Sequence, residues 1–144
     1  SDLTFLPPRP LDISLEQIRS QLEAGLLNQP TFRFELCEVR VFPVSEVVHL
    51  SVGAGRAEAK RIHELLHRGG LCCTEQFEYH PHVTLAHDID LAKVASAAEL
   101  SKRRWQEYSG VRDFLVDHVT LVQNTVENVW TNLGEFALPV PVSA

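Results

Sequence analysis

The longest alternating segment of the sequence is TFRFELCEVRVF, residues 31–42. Phe32, Phe34 and Leu36 fall on one parity of this segment, while Arg33, Glu35 and Cys37 fall on the other. Successive side chains of a strand point to opposite faces of its sheet, so the segment is predicted to be a long strand with one buried face. A short turn separates it from EVVHLSVG (46–53), a second predicted strand that pairs with it as a hairpin. The chain is therefore expected to build an antiparallel sheet.

Helix and turn signals place the other elements around this hairpin. A capping box at Ser14 and Gln17 starts one helix, and a double glycine ends another. The order β-α-β-β-α-β-α-β-β predicts an α+β fold, in a single domain over residues 1–138 with a loose tail at 139–144. The nine elements are predicted at residues 2–6, 15–27, 31–42, 46–53, 56–68, 82–86, 91–108, 113–125 and 128–138.

Charge and composition limit the kind of partner. The net charge of −6 argues against a large non-specific nucleic-acid surface, although a small basic cleft around one phosphate is compatible with it. No apolar run approaches the roughly 20 residues that span a bilayer, and the N-terminus lacks the basic and apolar regions of a secretory signal. Cys37, Cys72 and Cys73 are too few for a disulfide framework. A cytoplasmic protein with reduced thiols and no membrane partner is expected.

The segment HELLHRGGLCC (63–73) contains an H-E-x-x-H motif. On a helix this motif places His63 and His67 one turn apart, as zinc peptidases require, and Cys73 stands where a third ligand could be. In the alternative interpretation, His63, Glu64 and His67 form the solvated face of an amphipathic surface helix. The chain contains no methionine, which the zinc peptidases with this glycine spacing carry beneath the metal. We therefore expect a solvated helix and no metal site.

The predicted strand HVTLA (82–86) carries different chemistry. Residues two apart on a strand share a face, so His82 and Thr84 present an imidazole and a hydroxyl on one side. This pair suits a phosphate ester, because the hydroxyl donates to a phosphoryl oxygen and the imidazole moves a proton to or from the attacking or leaving oxygen. His49 and Ser51 form a similar H-x-S pair on the preceding strand.

With this motif the sequence resembles the 2′-5′ RNA ligase-like, two-histidine phosphoesterase superfamily. FEYHPHVTLA (77–86) is similar to the second signature of that family, and VRVFP, VVHLSV and LLHRGG are similar to the segments before it. The resemblance implies a bilobal α+β fold with a mostly antiparallel sheet, helices packed on the outside and a central cleft. It also implies a reaction on 2′,3′-cyclic or 2′-5′ phosphodiesters without metal or other cofactor, between two H-x-T/S strands that face each other across the cleft.

The first signature of that family is altered here. LTFLPPRPL (3–11) is similar to its end, with Thr4 as the first hydroxyl and Asp2 where the family has a histidine. An aspartate is anionic at neutral pH, repels a phosphodiester and does not act as a general acid. Loss of one of two acid/base groups is expected to lower the rate roughly 10²–10⁴-fold.

The expected site combines acid/base groups, hydroxyls and one aromatic ring. Tyr79 is either a stacking partner for a base or a core residue, and Arg9 and Arg40 are the basic residues expected near the cleft. The expected ligand is a nucleotide or an RNA end with a cyclic or 2′-5′ phosphodiester, and no obligate protein partner is expected. The predicted catalytic residues are His82, Thr84 and Thr4, and the predicted substrate-binding residues are Asp2, His49, Ser51 and Tyr79.

Three functions follow from these observations. The leading one is a metal-independent phosphoesterase-like protein, impaired by Asp2. The second is a non-catalytic domain that binds nucleotides or RNA ends with the hydroxyls and one histidine. The third and least favoured is a zinc metallopeptidase that uses His63, Glu64 and His67.

Overall fold

The computed structural model of the chain describes residues 3–124 and 129–141. Asp2 and the predicted strand ends at 125 and 128 lie outside the described residues, as do residues 142–144 of the predicted tail. The α-helices are α1 (Leu15–Leu26), α2 (Arg56–Leu66) and α3 (Val94–Glu107). The strands are β1 (Phe32–Val41), β2 (Val48–Val52), β3 (His82–Ala86), β4 (Asp113–Val116), β5 (His118–Asn124) and β6 (Trp130–Ala137).

All strand pairs in the described part of the chain are antiparallel. Four strands form one sheet in the order β3-β2-β1-β4, and β5 pairs with β6 in a second sheet. The predicted hairpin of β1 and β2 is present, and the α+β fold with a largely antiparallel sheet is confirmed.

Two predicted strands were wrong in extent. The segment predicted as one strand at 113–125 is divided at Asp117, because β4 pairs with β1 whereas β5 pairs with β6. The buried positions also change parity at this point, from Val116 in β4 to Val119 in β5. The strand predicted at 2–6 is reduced to a single bridge between Leu3 and Val83. Pro7 and Pro8 follow it, and they have no N–H to extend a ladder.

A bulge in β1 keeps its apolar side chains on one face of the sheet. The pairing with β2 shifts between Leu36 and Val39, so the buried residues are even-numbered before the shift and odd-numbered after it. One core cluster lies beneath α1 and α2, and a second contains Val39 and packs against α3. Val52 belongs to the first cluster and Leu50 to the second. Because these two residues are two apart on β2, both clusters lie on the same face.

The helices cover this face with apolar stripes of helical spacing. The capping box predicted at Ser14 and Gln17 starts α1, which buries Ile18, Leu22 and Leu26. In α2 the buried apolar residues are Ala59, Ile62 and Leu66. Within residues 3–124 and 129–141, none of the helices has the length and apolar character needed to cross a membrane.

Candidate functional site

The face of the sheet opposite the two core clusters carries the polar residues predicted for the site. Strand pairing places His49 opposite Thr84 and Ser51 opposite His82. It also places Arg40 of β1 opposite His49. Directly opposite residues of an antiparallel pair point to the same side, so the H-x-S pair, the H-x-T pair and one arginine share a single surface.

Thr4 lies beside β3, on the N-terminal segment. Leu3 bridges Val83, and both side chains pack against core residues. Phe5 is buried as well, whereas Thr4 is exposed. Thr4 therefore adjoins the strand that carries His82, and its side chain is accessible to solvent.

One ring nitrogen of His82 is hydrogen-bonded to the main chain. Its Nδ1 lies 2.6 Å from the carbonyl oxygen of His80. A carbonyl oxygen only accepts, so Nδ1 carries the hydrogen and Nε2 is left for proton transfer. An imidazole held in this way has the tautomer that a general base requires.

An aromatic cluster packs beside His82. Phe42 stacks on His49 with ring centroids 3.7 Å apart, and its ring meets His82 edge-on at 4.9 Å. His49 is 5% exposed, and its Nδ1 bonds the Val47 carbonyl at 3.1 Å. Burial lowers the pKa of His49 and outweighs that hydrogen bond, which acts in the opposite direction. His49 is therefore neutral at neutral pH and supports the ring of His82 through packing. No sequence signal pointed to Phe42, which lies just after the end of β1.

The surface around the H-x-T pair is open. A groove of about 570 Å³ is lined by His82 and Thr84 together with Val47, Leu85, His87 and Asp88. A larger cavity of about 1350 Å³ is lined by Thr4 and mainly by apolar residues of the N-terminal segment, α1 and β4 to β6. A phosphate ester can therefore reach His82 and Thr84 from solvent.

Ser51 and Tyr79 make contacts within the protein. The Ser51 hydroxyl accepts a hydrogen bond from the amide of Glu38 at 3.1 Å. The Tyr79 hydroxyl donates to the carbonyl of Thr4 at 2.8 Å, and the Tyr79 ring stacks on His63 at 4.2 Å. Burial raises the pKa of Tyr79 far above its usual range, so the hydroxyl stays protonated. A stacking role for Tyr79 with a base stays a prediction, since one face of its ring is already covered.

The H-E-x-x-H residues do not form a solvated face. His63 is 8% exposed, with Nδ1 2.8 Å from the Phe5 carbonyl and Nε2 2.8 Å from Glu75. The expectation that His63 points to solvent was wrong, because Glu75 and the N-terminal segment fold over α2. Glu64 is exposed as expected.

The group that converges with the two histidines is Glu75, at a position that the motif does not indicate. Possible ligand atoms of His63, His67 and Glu75 lie within 4.8 Å of one another. The guanidinium of Arg9 occupies this cluster: it lies 3.0 Å from His67 Nδ1 and 2.7 Å from Glu75 Oε2. Arg9 is therefore engaged in the interior and does not face the cleft. Its positive charge beside the candidate ligands opposes metal binding.

Comparison with known proteins identifies the family and a similar fold. A family model described as the 2′-5′ RNA ligase superfamily matches residues 3–128. The chain belongs to the 2′-5′ RNA ligase superfamily. The structure is similar to that of E. coli LigT complexed with 3′-AMP, with a TM-score of 0.63 and 21% sequence identity over 94% of this chain and 75% of that one. The comparison with curated proteins found no match. The fold implied by the sequence resemblance is thus confirmed, as is the superfamily.

Proposed function

We propose that the protein is a metal-independent phosphoesterase-like member of its superfamily, acting on RNA-type 2′,3′-cyclic or 2′-5′ phosphodiesters. The observation that carries this proposal is the position of His82 and Thr84 on one face of β3, where both line a groove open to solvent; Thr4 adjoins Leu3, which bridges β3 at Val83. A hydroxyl and an imidazole on one rigid surface can hold a phosphoryl group and move a proton at the same time.

Each of these groups has a distinct role in the proposed reaction. The hydroxyls of Thr4 and Thr84 donate hydrogen bonds to the non-bridging phosphoryl oxygens. His82 Nε2 takes a proton from the attacking oxygen or, when protonated, gives one to the leaving oxygen. Arg40 lies on the same surface and adds positive charge, since its only described ion pair is a long one of 3.5 Å with Glu38. In the sequence, Asp2 stands where the first signature of the family has a histidine, and its negative charge is expected to oppose an anionic substrate.

A nucleotide-binding domain without catalysis is the second candidate. Asp2 at the first histidine position favours it, because one imidazole cannot act as acid and base in the same step. The structurally similar LigT was solved with 3′-AMP, which makes a 3′-nucleotide the first ligand to test.

Turnover of a nucleoside 2′,3′-cyclic phosphate, measured with and without EDTA, tests the proposal. We expect slow hydrolysis that EDTA leaves unchanged and that His82→Ala lowers at least 10²-fold, on the order of a general acid/base contribution. His118→Ala, at an exposed histidine on β5, is the matched control and should keep full activity. Turnover abolished by EDTA and restored by zinc would reject the proposal.

Position 2, where the family has a histidine, allows a gain-of-function experiment. Asp2→His is expected to raise the rate by roughly 10²-fold or more, and Asp12→His, at an exposed aspartate, should not. Absence of turnover in both Asp2→His and the natural protein, together with saturable binding of 3′-AMP measured by calorimetry, would favour the binding domain.

A further inference from the structure

We propose that Tyr79 and His63 act as a pair of positioning residues that set the place of the Thr4 hydroxyl relative to His82, and that the buried Arg9–Glu75 ion pair holds them. This inference rests on the proposed function for its catalytic consequence. Its structural part can be tested without any substrate.

The segment around Thr4 has little secondary structure of its own. Its only described strand contact is the single bridge between Leu3 and Val83, and Pro7 and Pro8 that follow cannot donate main-chain hydrogen bonds. A lone bridge leaves the direction of the Thr4 side chain weakly determined. Other contacts have to hold this segment if the hydroxyl is to act on phosphate.

Two side chains bind consecutive carbonyls of this segment. Tyr79 donates to the Thr4 carbonyl and His63 Nδ1 donates to the Phe5 carbonyl, both at 2.8 Å. The two donor rings stack on each other, with centroids 4.2 Å apart and an interplanar angle of 3°. Because the rings are parallel and in contact, each donor limits the movement of the other toward it.

Tyr79 joins the two halves of the site directly. It lies three residues before His82 in the chain and bonds the residue that carries the first hydroxyl. His63, in contrast, lies on α2, whose buried apolar residues belong to the core cluster beneath α1 and α2. The pair therefore fixes the Thr4 segment both to the strand with His82 and to the packed body of the protein.

A buried ion-pair network supports the stacked rings. His63 Nε2 lies 2.8 Å from one oxygen of Glu75, and Arg9 lies 2.7 Å from the other. Arg9 also donates to the Leu71 carbonyl at 3.1 Å. The side chain of Arg9 is 4% exposed and that of Glu75 is 17% exposed. Since Arg9 follows Phe5 by only four residues, the network begins and ends on the N-terminal segment.

Electrostatics keep Glu75 ionised. Burial acts to raise the pKa of Glu75, but the hydrogen bond from Arg9 and the electrostatic interactions with His63 and Arg9 outweigh it and lower that pKa. Both nitrogens of His63 face oxygen atoms, one of the Phe5 carbonyl and one of Glu75. Removal of the Arg9, Glu75 or His63 side chain therefore leaves polar groups of this network without hydrogen-bond partners.

Tyr79→Phe is the sharpest test, because it removes one hydroxyl and keeps the stacked ring. We expect kcat/KM for a nucleoside 2′,3′-cyclic phosphate to fall about 10-fold, within the range that a small misplacement of a reacting group produces. Tyr108→Phe is the matched control, since Tyr108 also donates to a carbonyl, that of Val111, at an exposed position. It should leave kcat/KM unchanged.

A double-mutant cycle separates positioning of Thr4 from a general structural effect. If Tyr79 acts through Thr4, Tyr79→Phe should cause no further loss in a Thr4→Val background, because the hydroxyl to be positioned is already gone. Additive losses in the double variant would overturn the proposed positioning role.

Amide hydrogen exchange tests the same contact without turnover. Tyr79→Phe and Glu75→Gln should each raise the exchange rate of amide hydrogens in peptides covering residues 3–9 at least 10-fold. The matched controls are Tyr108→Phe and Glu78→Gln, which changes an exposed carboxylate, and they should leave that rate unchanged. If the natural protein neither turns over nor binds nucleotide, faster exchange still supports the positioning role and only the proposed function fails. Unchanged exchange in both test variants would overturn the inference.

Discussion

Arg9 brings a full positive charge into the interior, where four acceptors surround its guanidinium. They are Glu75, the ring of His67 and the carbonyls of Pro7 and Leu71. A buried charge is tolerated only when it is paired and hydrogen-bonded, and this cluster meets both conditions. The same contacts bring the two histidines of the H-E-x-x-H sequence together with a carboxylate and a guanidinium.

Replacement of Arg9 by methionine is expected to destabilise the protein strongly. Arg9→Met keeps an apolar stem but leaves Glu75 buried without its cation, a change that costs roughly 3 kcal/mol. Arg33→Met is the matched control: the Arg33–Asp113 pair is exposed, and its loss should cost less than about 1 kcal/mol. Urea unfolding of both variants measures the difference, and equal losses would contradict the assigned role of Arg9.

The same variant should acquire a metal site. Without the guanidinium, His63, His67 and Glu75 can supply three ligands to Zn²⁺. Zn²⁺ should therefore raise the Tm of Arg9→Met and leave that of the natural protein unchanged. Stabilisation of the natural protein by Zn²⁺ would show that Arg9 does not block the site.

At the scale of elements, α2 is the helix that carries His63 to the N-terminal segment. Its N-cap is Gly55, whose φ of +90° belongs to the left-handed region. A Cβ at this position would lie 2.5 Å from the carbonyl oxygen of Arg33 in β1. Glycine is therefore required where β2 turns into α2, both for backbone conformation and for close approach of β1.

Gly55→Ala should destabilise the protein more than Gly69→Ala does. Gly69 also has a positive φ, of +53°, but the nearest atom to a Cβ there lies 3.5 Å away. Gly69→Ala should cost about 1 kcal/mol for backbone strain alone, and Gly55→Ala roughly twice that because a clash is added. Thermal or urea unfolding of the two variants checks the order, and equal costs would show that β1 moves aside.

At the scale of the whole molecule, the four-stranded sheet has core side chains on one face and candidate site residues on the other. One face covers both core clusters, and the opposite face carries the H-x-T pair, Arg40 and Ser51. Site residues mounted on strands are held more rigidly than residues on loops. His49 lies on the face with the candidate site residues, but it is buried there beneath Phe42.

His49 should make the stability of the molecule depend on pH. Its pKa is lowered below the ordinary value of 6.5, so below that pH the unfolded chain binds a proton that the folded protein does not. Stability therefore falls as pH decreases through this window. Urea unfolding from about pH 7.5 to about pH 5 should show a shallower decline in His49→Phe than in the natural protein. His118→Gln, at an exposed histidine, should keep the natural slope, and an unchanged slope in His49→Phe would contradict the assignment.

Local patterns in the sequence determined most of the elements. The capping box of α1 and the alternation over the first half of β1 depend only on neighbouring residues, and each is present as predicted in the structure. Tertiary structure alone decided three other features: the division of one predicted strand at Asp117, the burial of His63, and the meeting of Arg9 with Glu75, 66 residues apart in the chain. Contacts over such separations leave no periodic trace, because they depend on how the elements pack against one another.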